Sequence, residues 1–166
     1  MRELLNEMES ASRTHAISLG NGDWIASIPN VPGWYVLATD APWRTLRTLT
    51  PDDMARGHYR IGDRTARAEE LAALGVLIRE RPGQIVPVYN GHAKNLRSRA
   101  REHWNGHART GCLSLRQYAD LHDYRWEFRC TLVSDLRSQP SDSTTLRNIG
   151  EQLWRAEHGW PILCIE

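Results

Sequence analysis

Residues 124–133 read Tyr-Arg-Trp-Glu-Phe-Arg-Cys-Thr-Leu-Val, and in them Trp126, Phe128, Cys130 and Leu132 alternate with polar residues. A period of two belongs to a strand with one covered and one wet face, and such a strand needs partners. Two other runs offer them. Gly33-Trp34-Tyr35-Val36-Leu37-Ala38 follows a turn bracketed by Pro29 and Pro32 and is rich in aromatic and β-branched residues. Ile85-Val86-Pro87-Val88-Tyr89 is the third run, closed by Gly91, and Pro87 marks it as an edge strand or a bulged one.

Helical patterns lie between these strands. Leu4, Leu5, Met8 and Ala11 predict an amphipathic helix from Arg2 to about Ala16, ended by Gly20-Asn21-Gly22. Residues 40–84 read as an inserted segment. Thr50-Pro51-Asp52-Asp53 is a helix start, His58-Tyr59-Arg60-Ile61 a short extended piece, and Thr65 to Glu80 a helix stopped by Arg81-Pro82-Gly83. Asn95 caps a helix with Leu96, Ala100, His103 and Trp104 on one side. After a loop at 139–143, the last helix carries Leu146, Ile149, Leu153 and Trp154 on one face and stops at Gly159-Trp160-Pro161. The pattern predicts one α/β or α+β domain over residues 1–166 with a small three-stranded sheet, residues 1–30 being an N-terminal helix and lead-in.

Composition narrows the function. A chain of 166 residues with 25% charged residues is an ordinary globular length and mix, so fibrous and disordered classes are excluded. No apolar run is long enough to span a membrane, and the acids in Met1-Arg2-Glu3-Leu4-Leu5-Asn6-Glu7 do not suit a signal peptide, so the expectation is a cytoplasmic protein without membrane partners. Cys112, Cys130 and Cys164 lack metal-ligand spacing and read as buried free thiols. The net charge of +1 exerts no global pull on nucleic acid, so any such pull is local. Lys94, Arg97, Arg99, Arg101 and Arg109 face only Glu102 within residues 92–109, and Arg44, Arg47, Arg56, Arg60, Arg64 and Arg67 face three aspartates within 44–67. Both stretches are local phosphate-binding candidates.

The order of the pieces is more specific than any one of them. Gly33-Trp34-Tyr35 on one strand, Tyr89-Asn90-Gly91 on another, Arg99 ten positions after Tyr89, His103 four later, and Glu151 opening a late helix segment followed by Pro161-Ile-Leu-Cys164 resemble the GIY-YIG nuclease superfamily. A second Tyr-containing run, Tyr59-Arg60-Ile61-Gly62, fails this spacing, because Glu69 stands ten positions on where an arginine is needed. The resemblance covers residues 31–39 and 85–165. It implies an antiparallel sheet flanked by helices, with residues 40–84 inserted in the first hairpin as in restriction-type members. Cys164 stands where the family has asparagine, and His92 where repair-type members often have lysine.

The resemblance further implies a DNA endonuclease dependent on Mg²⁺ or Mn²⁺, with Glu151 as metal ligand, Tyr35 as general base, Tyr89 beside it, Arg99 clamping the scissile phosphate and His103 orienting or relaying a proton. Gly91, His92, Lys94, Arg97 and Arg101 are the candidate substrate-binding residues. The residue types suit the chemistry: phosphodiester hydrolysis needs an activated water, charge stabilisation and a protonated leaving oxygen. One such site cuts one strand, so double-strand cleavage calls for a homodimer or sequential nicking. Glu151 also stands four residues from both Arg147 and Arg155, the spacing of a helix ion pair. Two alternatives keep the fold and change the role: an enzyme acting on an aromatic small molecule, and a catalytically weakened nucleic-acid-binding module.

Overall fold

Four strands form the sheet, one more than the sequence pattern supplies. The structure, a computed structural model, describes residues 2–50, 60–107, 110–138 and 140–164. Strands β1 (Arg13–Ile17), β2 (Gly33–Thr39), β3 (Val86–Ala93) and β4 (Trp126–Leu132) lie in the order β1-β4-β2-β3, every neighbouring pair antiparallel. Helices α1 (Arg2–Ser10), α2 (Trp43–Thr48), α3 (Ile61–Glu70), α4 (Leu96–Asn105) and α5 (Thr144–His158) complete a mixed α+β fold.

The extra strand, β1, corrects the reading of one helix from Arg2 to Ala16. The helix stops at Ser10, and Arg13 to Ile17 pair with β4 from Cys130 to Trp126. Only Ile17 of this short edge strand is buried, so it carries no alternation of hydrophobicity that could announce it. Two further boundaries differ. Strand β3 runs through Gly91 to Ala93 because Gly33, Trp34 and Tyr35 of β2 pair with Ala93, His92 and Gly91. The helix expected over Thr65 to Glu80 is α3, which begins at Ile61 and gives way to a 3-10 turn over Ala72–Leu74, with Gly75 left-handed at φ 68°. Its buried stripe is Ile61, Gly62, Thr65 and Ala68, and Leu74 is 68% exposed. The expected helix start at Pro51, and His58 and Tyr59 of the expected extended piece, lie outside the described residues, whereas Arg60 and Ile61 of that piece cap and begin α3.

Pro87 sits on edge strand β3, where Leu37 faces Tyr89 and Ala38 faces Pro87, leaving Val88 as the extra residue of a bulge. The C-terminal segment covers that edge: Leu163 N–H donates to Val88 O at 2.9 Å, and Asn90 N–H donates to Cys164 Sγ at 3.2 Å. Residues between β2 and β3 form the long connection of this hairpin. Within it α2 and α3 pack closely, and a Cβ on Gly62 would stand 2.8 Å from Arg47 O.

Alternation in β2 and β4 sorts the two sheet faces. Tyr35, Leu37, Trp126, Phe128 and Cys130 point into the main core, where α4 contributes Leu96 and Ala100. Full burial of Leu37, Phe128 and Leu96 stabilises the fold by about 1.5–3 kcal/mol each. Trp34, Val36, Arg129 and Thr131 lie on the other face, expected to be wet. Helices α1 and α5 cover much of it: Thr131 Oγ1 donates to Met8 O at 2.7 Å, and Trp34 Nε1 donates to Arg147 O at 2.8 Å.

The α5 contact is made by Gly150, where an added Cβ would stand 2.4 Å from Trp34 Nε1. The stripe α5 turns to the sheet is therefore Arg147, Gly150 and the half-buried Glu151 and Trp154, and Ile149 is left 47% exposed. The apolar face anticipated for this helix is thus only partly its buried face. Cys112, Cys130 and Cys164 are free and buried. No helix among the described residues is long and apolar enough to cross a membrane.

Candidate active site

The side-chain oxygen of Asn95 accepts from Ser98 N–H at 2.9 Å and starts α4 directly after β3. That start points Arg99 and His103, one turn apart, back over β2 and β3. Gly91 is opposite Tyr35 in the register, and a Cβ there would stand 2.6 Å from the Tyr35 hydroxyl. Only glycine lets the phenol fold across β3 to meet α4.

Two side chains converge on that hydroxyl. Arg99 Nε donates to Tyr35 Oη at 2.9 Å, and His103 Nε2 lies 2.9 Å from the same oxygen. His103 Nδ1 accepts from Leu113 N–H at 3.2 Å, so the neutral ring carries its proton on Nε2 and donates it to Tyr35. Burial, reinforced by the Arg99 charge, drives the His103 pKa well below the ordinary range and keeps the ring neutral. The Tyr35 and Tyr89 rings lie nearly parallel, their centroids 6.2 Å apart, and His103 sits edge-on to Tyr89 at 4.8 Å.

Burial and the neighbouring Tyr89 push the Tyr35 phenol well above its usual value, and Arg99 pulls against them. Tyr89 moves the same way, chiefly through burial. Burial opposes the charge of Arg99, but the two tyrosines and Glu102 overcome it and its pKa is raised. Arg99 NH1 pairs with Glu102 Oε2 at 2.8 Å. Arg99 NH2 and the Tyr89 hydroxyl both donate to Gly111 O, at 2.9 and 3.1 Å. This carbonyl occupies the position in which an oxygen receives both donors.

Glu151 approaches β3 from the opposite sheet face. Arg155 NH2 pairs with Glu151 Oε1 at 2.5 Å, the i,i+4 partner its spacing anticipates, whereas Arg147 pairs with Asp142. Arg155 Nε also donates to Asn90 Oδ1 at 2.8 Å, and Cys164 Sγ lies 3.3 Å from that oxygen. Glu151 Oε2 faces His92 Nε2 at 3.7 Å, and His92 Nε2 is 2.6 Å from Asn148 Oδ1. The other ring nitrogen of His92, Nδ1, is buried with no hydrogen-bond partner among the described residues. Burial raises the Cys164 thiol to about 11, so it acts in this chain of contacts as a neutral group.

Glu151 thus lies across edge strand β3 from Tyr89, and its charge adds a minor upward pull on the Tyr89 phenol after that of burial. No group of three or more His, Cys, Asp or Glu converges among the described residues. One carboxylate, with an oxygen not held by Arg155, fits an ion that keeps most of its waters, such as Mg²⁺, and does not fit a fully caged ion.

The remaining candidates do not join this cluster. Successive helix residues turn by about 100°, so Arg97 and Arg101 share a face roughly opposite Arg99. Arg97 Nε donates to Ile28 O at 2.7 Å and holds the lead-in to β2. Lys94 and Arg101 are exposed. Arg109 and Arg56 lie outside the described residues, and Arg47 is paired with Glu69 at 2.8 Å. Sequence reasoning missed Glu102, Asn148 and the carbonyl of Gly111. The first two stand three positions from Arg99 and Glu151, a readable helical spacing, but nothing local marks Gly111. No family model, curated protein or solved structure matches this chain.

Proposed function

We propose that this chain is a divalent-metal-dependent endonuclease of the GIY-YIG type that hydrolyses DNA phosphodiester bonds, with restriction-type site specificity as the finer form. The observation that carries the reading is the shared hydrogen-bond network of Tyr35, Arg99 and His103, with Tyr89 and Gly111 O at its outer end. Phosphate is an oxygen acceptor that suits the Arg99 NH2 and Tyr89 hydroxyl donors now meeting at Gly111. In the proposed complex a phosphoryl oxygen takes the place of that carbonyl. Glu102 holds the guanidinium from its far side and sets the direction of the fork.

Hydrolysis joins a water oxygen to phosphorus and breaks the bond to the leaving sugar oxygen. Mg²⁺ or Mn²⁺ held by Glu151 would supply charge stabilisation at the phosphate when bound. Tyr35 takes the water's proton in its phenolate form, and two N–H donors already point at that oxygen to stabilise it. His103 is a positioning residue in this scheme, fixed by Leu113 N–H and held neutral by burial. Because the phenol titrates well above its ordinary range, the rate rises with pH through the alkaline region, by roughly tenfold per unit. Cutting both strands uses two copies of the chain or two successive nicks.

One observation favours a second reading, a nucleic-acid-binding module of reduced activity. Every nitrogen of Arg99 already has a protein partner. Incubation of supercoiled plasmid with the purified chain separates the two, using Mg²⁺, Mn²⁺ or EDTA and the Glu151→Ala variant. Nicking by wild type alone, abolished by EDTA, is expected. Retention of DNA on the protein without any cleavage would replace the nuclease reading with the module.

A further inference from the structure

On the sheet face opposite the Tyr35 ring, α1 and α5 lie over β2 and β4, joined through Glu9 and His158, and border a cleft of about 280 Å³. This lies near the lower end of the range for ligand pockets, about 300–1,000 Å³, and suits one ring system better than a dinucleotide. Its lining includes Trp34 and Arg129 from the strands, Met8 and Glu9 from α1, and Trp154 and His158 from α5. Of the lining residues, Tyr35 alone also enters the proposed hydrolysis.

The lining decides the chemistry of the occupant. Trp34 is held edge-on to α5 by its bond to Arg147 O, and Trp154 packs against His158 with ring centroids 4.7 Å apart, so two indoles are fixed before a ligand arrives. Fixed indoles favour a planar aromatic ligand over a flexible aliphatic one. The charged groups are already balanced within the protein. Arg129 is paired with Glu127 through Nε and NH2, at 2.8 and 2.7 Å, and His158 Nε2 is 2.7 Å from Glu9 Oε1. A cleft with paired charges gains little from a second anion. Arg129 NH1 has no protein partner among the described residues and remains a donor, and the Glu9 carboxylate is an acceptor. A neutral ring with both acceptor and donor positions on its edge meets all of these conditions.

We propose that the α1–α5 cleft binds a nucleobase, stacked on Trp154 and hydrogen-bonded along its edge by Arg129. The site shares strand β2 and Tyr35 with the phosphate cluster, but the side chains assigned to the base, Trp154 and Arg129, are not part of that cluster, and its occupation does not depend on hydrolysis. Trp154 lies three positions along α5 from Glu151, so a base in the cleft is within the reach of a strand bound at the β3 edge.

The test is calorimetric titration of the full chain in EDTA with the four deoxynucleosides, which carry no phosphate, and separately with benzoate and indole-3-acetate. Saturable binding of at least one deoxynucleoside is expected. It is expected to weaken about tenfold or more in Trp154→Ala, as for loss of a base-stacking ring. It should weaken in Arg129→Met, persist in Trp154→Phe, and remain unchanged in Arg99→Ala. Circular dichroism shows that each variant is folded. Absence of saturable deoxynucleoside binding overturns the proposal, as does equal binding by Trp154→Ala or binding of the aromatic carboxylates alone. Plasmid cleavage is scored independently, so failure here leaves the nuclease reading standing, and the reverse also holds.

Discussion

The two faces of the sheet are built from adjacent residues of the same strand and behave differently. Tyr35 faces α4 and enters a network in which Tyr35, Arg99, His103 and Glu102 are all bonded to protein. Trp34, its neighbour in β2, faces α5 beside an open cleft, a buried His92 nitrogen with no partner among the described residues, and an ion pair holding Glu151. One face is closed and pre-organised; the other has room. Strand alternation thus gives a small domain two differently built surfaces, one closed around a hydrogen-bond network and one open at a cleft, at no cost in chain length. Edge strand β3 is where they meet, because Tyr89 and Gly91 lie on one side and Asn90 and His92 on the other.

Breaking the closed face should have the largest effect. Arg99→Ala removes one donor from the position proposed for phosphate and one from Tyr35, and the cleavage rate on plasmid is expected to fall by about 10²–10³-fold. A fall of less than tenfold would remove Arg99 from the chemistry.

The two glycines sharpen the comparison. Gly91→Ala places a Cβ 2.6 Å from the Tyr35 hydroxyl, and Gly150→Ala places one 2.4 Å from Trp34 Nε1. Both are overpacked and should lose about 1–3 kcal/mol in urea unfolding. Assayed well below their unfolding midpoints, Gly91→Ala should lose cleavage at every Mg²⁺ concentration because it displaces the phenol, whereas Gly150→Ala, which shifts the adjacent Glu151, should lose it mainly at low Mg²⁺. Equal losses at every Mg²⁺ concentration would dissolve the distinction between the faces.

A pH effect of smaller size follows from His103. Its pKa is depressed in the folded state, so the unfolded chain takes up a proton that the folded chain refuses. Stability therefore declines as pH falls below about 6.5, the unfolded histidine value, and continues to decline down to the folded pKa. Urea unfolding across pH 7 to 5 should show this slope in wild type and a shallower one in His103→Gln. The smallest effect is expected at the mouth of the cleft, where His158 and Glu9 are both well exposed: His158→Ala should change stability by less than about 1 kcal/mol.

Much of this arrangement was legible in the chain. The alternation at Trp126 to Leu132, the Asn95 cap and the Tyr89–Arg99–His103 spacing depend on local chemistry, and the strand, the cap and the juxtaposition of those three side chains are present. Strand β1 was not legible, because Arg13, Thr14 and Ala16 are exposed, His15 is only half-buried, and the strand is set by its ladder with β4. The true buried stripe of α5 was hidden for a related reason. Gly150 is selected by the bulk of Trp34, over a hundred positions away in the chain, and an amphipathic count scores glycine as a gap rather than a contact. Gly111 escaped notice because its role is carried by a backbone carbonyl, which every residue has.

The central claim is that hydrolysis draws on both faces across β3, with Arg99 from one and Glu151 from the other. Single-turnover cleavage of plasmid in Mg²⁺ by wild type, Arg99→Ala and Glu151→Ala, each verified as folded, tests it most directly. Measurable cleavage by wild type and a loss of about 100-fold or more in each variant are expected. Wild-type rates in Glu151→Ala, or no cleavage of any DNA by the wild-type chain, would contradict it.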